Sequence, residues 1–273
     1  MKKRLPNIIL VIIFVIGLSL LLYPTVSDYW NSFHQTVAIA TYTEAVAQID
    51  DNTYQEMREA AKQYNASLTN DVSRWILTEE EKAEYERLLD VSGTGIMGYI
   101  GIPNLGCELP IYHGVDESVL RIAIGHIEGS SLPIGGLGTH TVLSGHRGLP
   151  SAKLFSDLDR MAEGDIFYLQ VMDETLTYEV DQIAIVLPND LEELELENDK
   201  SFCTLVTCTP YGVNSHRLLV RGHQIETSED DAPVRVTADA IQIEPLIVAP
   251  IVATPILLLL LIYLLMQPLK GRK

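Results

Sequence analysis

Residues 204–222, TLVTCTPYGVNSHRLLVRG, place a cysteine and an arginine, Cys208 and Arg217, on either side of one turn. The run at 204–207 is β-branched and apolar, as a buried strand requires, and Pro210, Gly212 and Asn214 then break it. Leu218, Leu219 and Val220 resume an apolar strand between Arg217 and Arg221. An antiparallel return therefore carries Arg217 back toward Cys208. A fixed cation beside a thiol favours the thiolate, which is the form that attacks a carbonyl carbon. The same residues also fit a buried structural cysteine flanked by two solvated arginines. The pair alone leaves both readings open.

The segment resembles the signature of the sortases, cysteine transpeptidases of Gram-positive cell surfaces, in which Thr-Leu-X-Thr-Cys is followed by an arginine on the next strand. Cys208 matches the nucleophile and Arg217 the arginine. The family also requires a histidine at the end of an upstream strand. Residues 139–150, THTVLSGHRGLP, supply it as His146, which precedes Cys208 by 62 positions. Three further stretches, GYIGIPNLGCELPIYHG at 98–114, GHIEGSSLPIGGLGTH at 125–140 and SAKLFSDLDRM at 151–161, are similar to class C, the pilin-polymerising sortases. The resemblance runs from about residue 32 to the C-terminus.

It implies a mainly β fold, a closed eight-stranded barrel with short inserted helices. It also implies a reaction in which Cys208 attacks the Thr–Gly bond of a Leu-Pro-X-Thr-Gly-like sorting signal and a pilin lysine resolves the thioacyl enzyme. Each partner has a physical task. A free thiol, with a pKa of about 8.5, is mostly protonated at neutral pH. His146 can activate it and later protonate the departing amine. Arg217 stays charged, so its part is electrostatic, either at the oxyanion or on the substrate backbone. Thr207 and His216 are expected to line the substrate pocket or its rim. Class C members often carry an Asp-Pro-aromatic tripeptide in a loop that covers the site as a lid. Here Asp71 is followed by Val72, and only Trp75 offers an aromatic group to the cleft. A lid in this chain must be held without the acidic contact to Arg217 that the tripeptide provides, and packing at the start of the next helix is an equal reading of Trp75.

The chain has 273 residues, of which 47% are hydrophobic, enough for one globular domain plus membrane segments. Residues 8–22 are apolar apart from Gly17 and Ser19 and follow Lys2, Lys3 and Arg4. That pattern predicts an uncleaved anchor with its basic end in the cytoplasm. A second apolar stretch, 245–266, precedes Lys270, Arg272 and Lys273 and has the length of a bilayer span. Both termini are then cytoplasmic and the domain between them lies outside the cell membrane. The expected organisation is a basic tip and anchor at 1–30, juxtamembrane helices and lid region at 31–94, the catalytic barrel at 95–228, a linker at 229–244, a second transmembrane helix at 245–267 and a basic tail at 268–273. The net charge of −18 falls mostly on the external domain and argues against nucleic acid as a partner.

The elements that must position these residues follow from local pattern. Residues 31–64 have helix-like spacing without proline, and Thr78 to Glu81 form a capping box ahead of a short helix at 82–89. From Gly95 on, glycine and proline divide short strands at 97–102, 109–113, 141–144, 166–171 and 176–186, followed by the two signature strands. The sortase resemblance implies helices inserted between the strands, and 115–124 and 151–161 would supply two of them. Three cysteines are too few for a disulfide framework. Cys203, five residues before Cys208, is expected to face the opposite side, and a Cys107–Cys203 bridge stays open. His113, His126 and His140 lack ligand spacing and read as hydrogen-bonded core or rim histidines, so neither metal nor cofactor is expected. The alternative functions are a cell-wall-anchoring sortase that uses a peptidoglycan amine of a cell-wall precursor, a hydrolytic cysteine protease, and a non-catalytic membrane module that binds pilins.

Overall fold

From Leu5 to Ser27 the chain carries 23 residues without a charged side chain. In the computed structural model they open α1, a helix over Leu5–Ala47. At about 1.5 Å per residue this stretch is roughly 35 Å long, more than the ~30 Å of bilayer hydrocarbon. The helix is long and apolar enough to cross a membrane. It continues through Pro24, whose missing N–H removes one helical bond, and through residue 30, where the anchor was expected to end. The structure describes residues 5–227 and Thr254. The basic tip at Lys2, Lys3 and Arg4, the linker at 229–244, the second span at 245–267 apart from Thr254, and the tail at 268–273 lie outside the described residues. Residues 5–30 belong to one compact unit and residues 31–227 to a second.

In the second unit, α2 spans Asp51–Ser67 and starts at Asp50, whose carboxylate accepts from the Asn52 and Thr53 amides. Tyr54, Met57, Ala61 and Tyr64, at helical spacing, face the barrel core. The next helix, α3, covers Glu79–Tyr85 behind the expected capping box of Thr78 and Glu81. Its last residue, Tyr85, is fully buried.

Eight strands follow: β1 (Ile96–Ile102), β2 (Cys107–His113), β3 (Ile124–His126), β4 (Thr139–Ser144), β5 (Ile166–Val171), β6 (Glu174–Val186), β7 (Ser201–Thr209) and β8 (His216–Ile225). They close in the order β1-β2-β3-β4-β7-β8-β6-β5. Alternate residues of each strand fill the interior, among them Ile100, Ile111, Leu143, Phe167, Leu205 and Val220. Val142, Leu194, Val206 and Leu219 form a second, smaller cluster. Because Val206 and Leu219 alternate with the interior residues Leu205 and Val220, this cluster lies on the outer face of β4, β7 and β8.

Both inserted helices fall short of expectation. Over 115–124 only one turn forms, α4 (Glu117–Leu120), because Ile124 to His126 are taken by β3 and pair with β2. Over 151–161 the buried residues Leu154, Leu158 and Met161 imitate a helical stripe. Leu154, however, adopts φ 39°, and only a 3-10 turn at Leu158–Arg160 forms. The three cysteines are free, so no Cys107–Cys203 bridge closes. Burial raises the Cys203 thiol well above its ordinary value and raises Cys107 to about 11.

The core histidines are hydrogen-bonded, as expected. His126 meets the Tyr85 hydroxyl at 2.9 Å and the Ser131 carbonyl at 2.9 Å, and His140 meets the Glu195 carbonyl at 2.9 Å and the Thr204 hydroxyl at 2.7 Å. Burial lowers both from 6.5 to about 4. A histidine held neutral in the fold but protonated when unfolded destabilises the protein as pH drops. Stability should therefore hold above pH ~6.5 and fall as pH approaches 4, by roughly 3 kcal/mol per histidine at ~1.4 kcal/mol per pH unit. Denaturant melts from pH 7.5 to 4.5 test this, and a His126→Gln, His140→Gln double variant should flatten the slope.

Candidate active site

β4 and β7 pair in parallel with a constant offset: Thr139 faces Ser201 and Ser144 faces Val206, 62 positions apart in each case. His146 and Cys208 are separated by the same 62 residues. The ladder continues past β4, since the Gly145 amide donates to the Val206 carbonyl at 3.0 Å. The Thr207 hydroxyl donates to the Gly145 carbonyl at 2.8 Å. On the other side of β7, Cys208 is the antiparallel partner of Arg217. Carried two residues past Ser144 and Val206, the same offset puts His146 level with Cys208, in a row with Arg217. By alternation they share the outer face with Val142, Val206 and Leu219.

Each member of the row is held by its backbone surroundings. A Cβ on Gly145 would lie 2.5 Å from Ile124 Cδ1 and 2.7 Å from Phe155 Cδ2, so only glycine lets the chain leave β4 this close to β3. The Phe155 amide donates to the His146 carbonyl at 3.2 Å. Arg147 is paired with Asp159. The His146 imidazole is half-buried, with Nε2 3.5 Å from Glu117 Oε2. Cys208, also half-buried, stands one residue before the end of β7. In the turn beyond, Val213 and Asn214 donate to the Pro210 carbonyl, and Asn214 takes the left-handed conformation at φ 58°. Arg217 NH1 donates back to the carbonyls of Asn214 at 3.3 Å and His216 at 3.1 Å. A reachable thiol, an imidazole and a guanidinium on one face suit acyl transfer through sulfur.

Thr207 and His216 do not belong to this face. Thr207 pairs with the core residue Leu218, is 2% exposed and spends its hydroxyl on Gly145. Its place is beneath the row. His216 pairs with Thr209 and meets the Ser215 hydroxyl at 2.9 Å, on the side opposite Arg217. Trp75 packs against the outer cluster of Val142, Leu194, Val206 and Leu219. Its segment is tied down by main-chain contacts: Asn70 gives and takes a hydrogen bond with Leu196, at 3.0 and 2.7 Å, and Arg74 donates to the Leu194 carbonyl at 2.7 Å.

A sortase domain model matches residues 100–225, which contain the whole row. Sortase C1 of Streptococcus agalactiae superposes with a TM-score of 0.67 at 50% sequence identity, over 70% of this chain and 99% of that one. The chain belongs to the sortase family. Sortase C of Streptococcus pneumoniae is 44% identical, with a TM-score of 0.63 over 70% of this chain and 97% of that structure. Sortase A of Bacillus anthracis is 26% identical over 227 residues, which is 83% of this chain and 97% of that protein. Sortases are cysteine transpeptidases, and the barrel described here is that of a transpeptidase. Among the described residues of this sortase no group of three or more His, Cys, Asp or Glu converges on one point.

Two features escaped the sequence reading. Glu117, beside His146, sits in a one-turn helix with no motif of its own, and the Asn70 and Arg74 ties depend on carbonyls more than 100 residues away. The Thr207 contact has a direct consequence. Thr207→Val should cost ~1–3 kcal/mol of stability by orphaning a buried carbonyl and lower the acylation rate severalfold, whereas Thr207→Ser should stay close to the parent. Denaturant melts and single-turnover acylation check both.

Proposed function

We propose that this sortase polymerises pilins, with Cys208 as nucleophile, His146 as proton carrier and Arg217 as electrostatic support. The observation that carries the assignment is the single row formed by the equal 62-residue offset and the Cys208–Arg217 pair. Cys208 attacks the Thr–Gly carbonyl of a Leu-Pro-X-Thr-Gly-like signal, the C–N bond breaks, and the amine leaves with a proton from His146. A lysine amine of a second pilin then attacks the thioester and forms an isopeptide bond. Identity of 50% and 44% to sortases named C1 and C favours a pilin lysine over a peptidoglycan amine. The apolar N-terminal helix fits an enzyme held at the cell membrane with its barrel outside.

Full-length enzyme in detergent, mixed with a Leu-Pro-Ala-Thr-Gly peptide and a lysine-bearing pilin peptide, should give a thioacyl adduct on Cys208 and an isopeptide product by mass spectrometry. Cys208→Ala should give neither. Arg217→Lys should lower turnover about 10²- to 10³-fold, the usual cost of one transition-state donor. Release of free acid without amine transfer would point to a hydrolase, and no adduct in any form would point to a binding module.

The segment bearing Trp75 is proposed as the lid, closed by its ties to Leu194 and Leu196 instead of by an acid on Arg217. Asn70→Ala and Arg74→Ala should speed alkylation of Cys208 by iodoacetamide severalfold without changing its site. An unchanged rate would leave Trp75 a packing residue.

A further inference from the structure

Glu117 touches the histidine of the row from outside the family signature. Its Oε2 is 3.5 Å from His146 Nε2, and its Oε1 accepts from Arg121 Nε at 2.9 Å. Arg121, and then His146, hold the Glu117 carboxyl below its ordinary value. One carboxylate therefore spans an arginine four residues along its own chain and an imidazole 29 residues away. The reach is built into the fold. α4 leads into β3, β3 pairs antiparallel with β4 through Gly125 and Ser144, and Gly145 closes against Ile124. Glu117 is thereby set next to the residue that follows Gly145. Both members of the contact are partly open to water, with side chains 64% and 29% exposed, so it adds little to folding stability.

Other charges near His146 are already engaged or lie across the ladder. Arg147 is bound by Asp159, and Arg217 folds back on its own turn. Glu117 is the carboxylate that contacts the imidazole among the described residues, and it takes Nε2. Nδ1 has no hydrogen-bond partner among them.

We infer that Glu117 is a positioning residue for His146, which fixes the imidazole through Nε2 and so presents Nδ1 to the reacting groups. This rests on the role of His146 proposed above. When the Thr–Gly bond breaks, the C–N electron pair stays on the nitrogen, and that nitrogen takes a proton from Nδ1 of the imidazolium. An imidazole free to turn about its χ angles would reach this geometry less often. Arg121 in turn fixes the carboxylate.

The experiment is single- and multiple-turnover kinetics of the full-length enzyme in detergent, with the Leu-Pro-Ala-Thr-Gly peptide and its ester analogue, in which oxygen replaces the Thr–Gly nitrogen. Glu117→Gln should lower kcat on the amide about 5- to 50-fold with KM within twofold, and Glu117→Asp should recover most of it. The loss should shrink on the ester, whose leaving group depends less on a proton donor. In a His146→Ala background, followed on the ester, Glu117→Gln should change nothing further. A kcat within twofold of the parent for Glu117→Gln would overturn the inference. So would an equal loss on both substrates that persists without His146, which would mark a structural role, as would a lowered melting temperature that accounts for the whole effect. If His146→Ala itself keeps the parent rate, the proposed role of His146 fails; if it abolishes turnover while Glu117→Gln does not, only the role of Glu117 fails.

Discussion

The parallel pairing of β4 with β7 is the constraint on which the rest of the structure depends. Parallel neighbours cannot be joined by a hairpin, so the chain between them must leave the pair, build β5 and β6, and return. Its register is not free. Both strands are buried almost throughout, and a slip of one residue would exchange Leu205 and Val206 between the interior and the outer face. The register that satisfies both apolar clusters is also the one that sets His146 level with Cys208. Chemistry and packing are thus fixed by the same ladder, and Thr207 joins them by giving its hydroxyl to the residue before His146.

The two arginines of β8 show how the fold allocates charge. Arg221 makes a two-pronged contact with Asp181, at 3.0 and 3.1 Å, and stacks over Phe202 at 4.2 Å. Arg217, four residues earlier on the same strand, contacts only main-chain carbonyls among the described residues. In a chain with a net charge of −18, carboxylate partners are plentiful, yet this arginine is held by carbonyls and has no counter-charge among the described residues. Carbonyls orient a guanidinium without neutralising it. The strand that carries both residues therefore has one arginine bound to a carboxylate and one bound to carbonyls alone among the described residues.

Much of the barrel was legible because its strands are short apolar runs punctuated by glycine and proline, and Ile166–Val171 was bounded from sequence as it stands in the fold. Cys208 and Arg217 were legible because a turn of known chemistry separates them, whereas His146 needed the family pattern. The three-residue β3 was not legible, since Ile124 to His126 give too little pattern and form a strand only because β2 and β4 flank them. The helix at 151–161 was implied by the family resemblance, and it does not form because Leu154 takes φ 39° and only a 3-10 turn follows at Leu158–Arg160. Thr207 was assigned to the pocket by its place beside the nucleophile, yet period-two alternation points it inward.

The loop over the outer face also separates two properties that an acid-to-arginine contact would merge. If a carboxylate closed the site by binding Arg217, opening would change the electrostatics of the reaction centre, and the charge state of the site would govern access. Here the segment is held by the Asn70 and Arg74 contacts to carbonyls and by Trp75 packed against the outer cluster of Val142, Leu194, Val206 and Leu219. Arg74 lies half-buried over the Trp75 ring at 4.4 Å, with Nε and one terminal nitrogen unpaired, so the closed segment holds a charge at a desolvation cost. On the lid role proposed above, access is set by a local balance within residues 70–76 and does not require Arg217 to give up a partner.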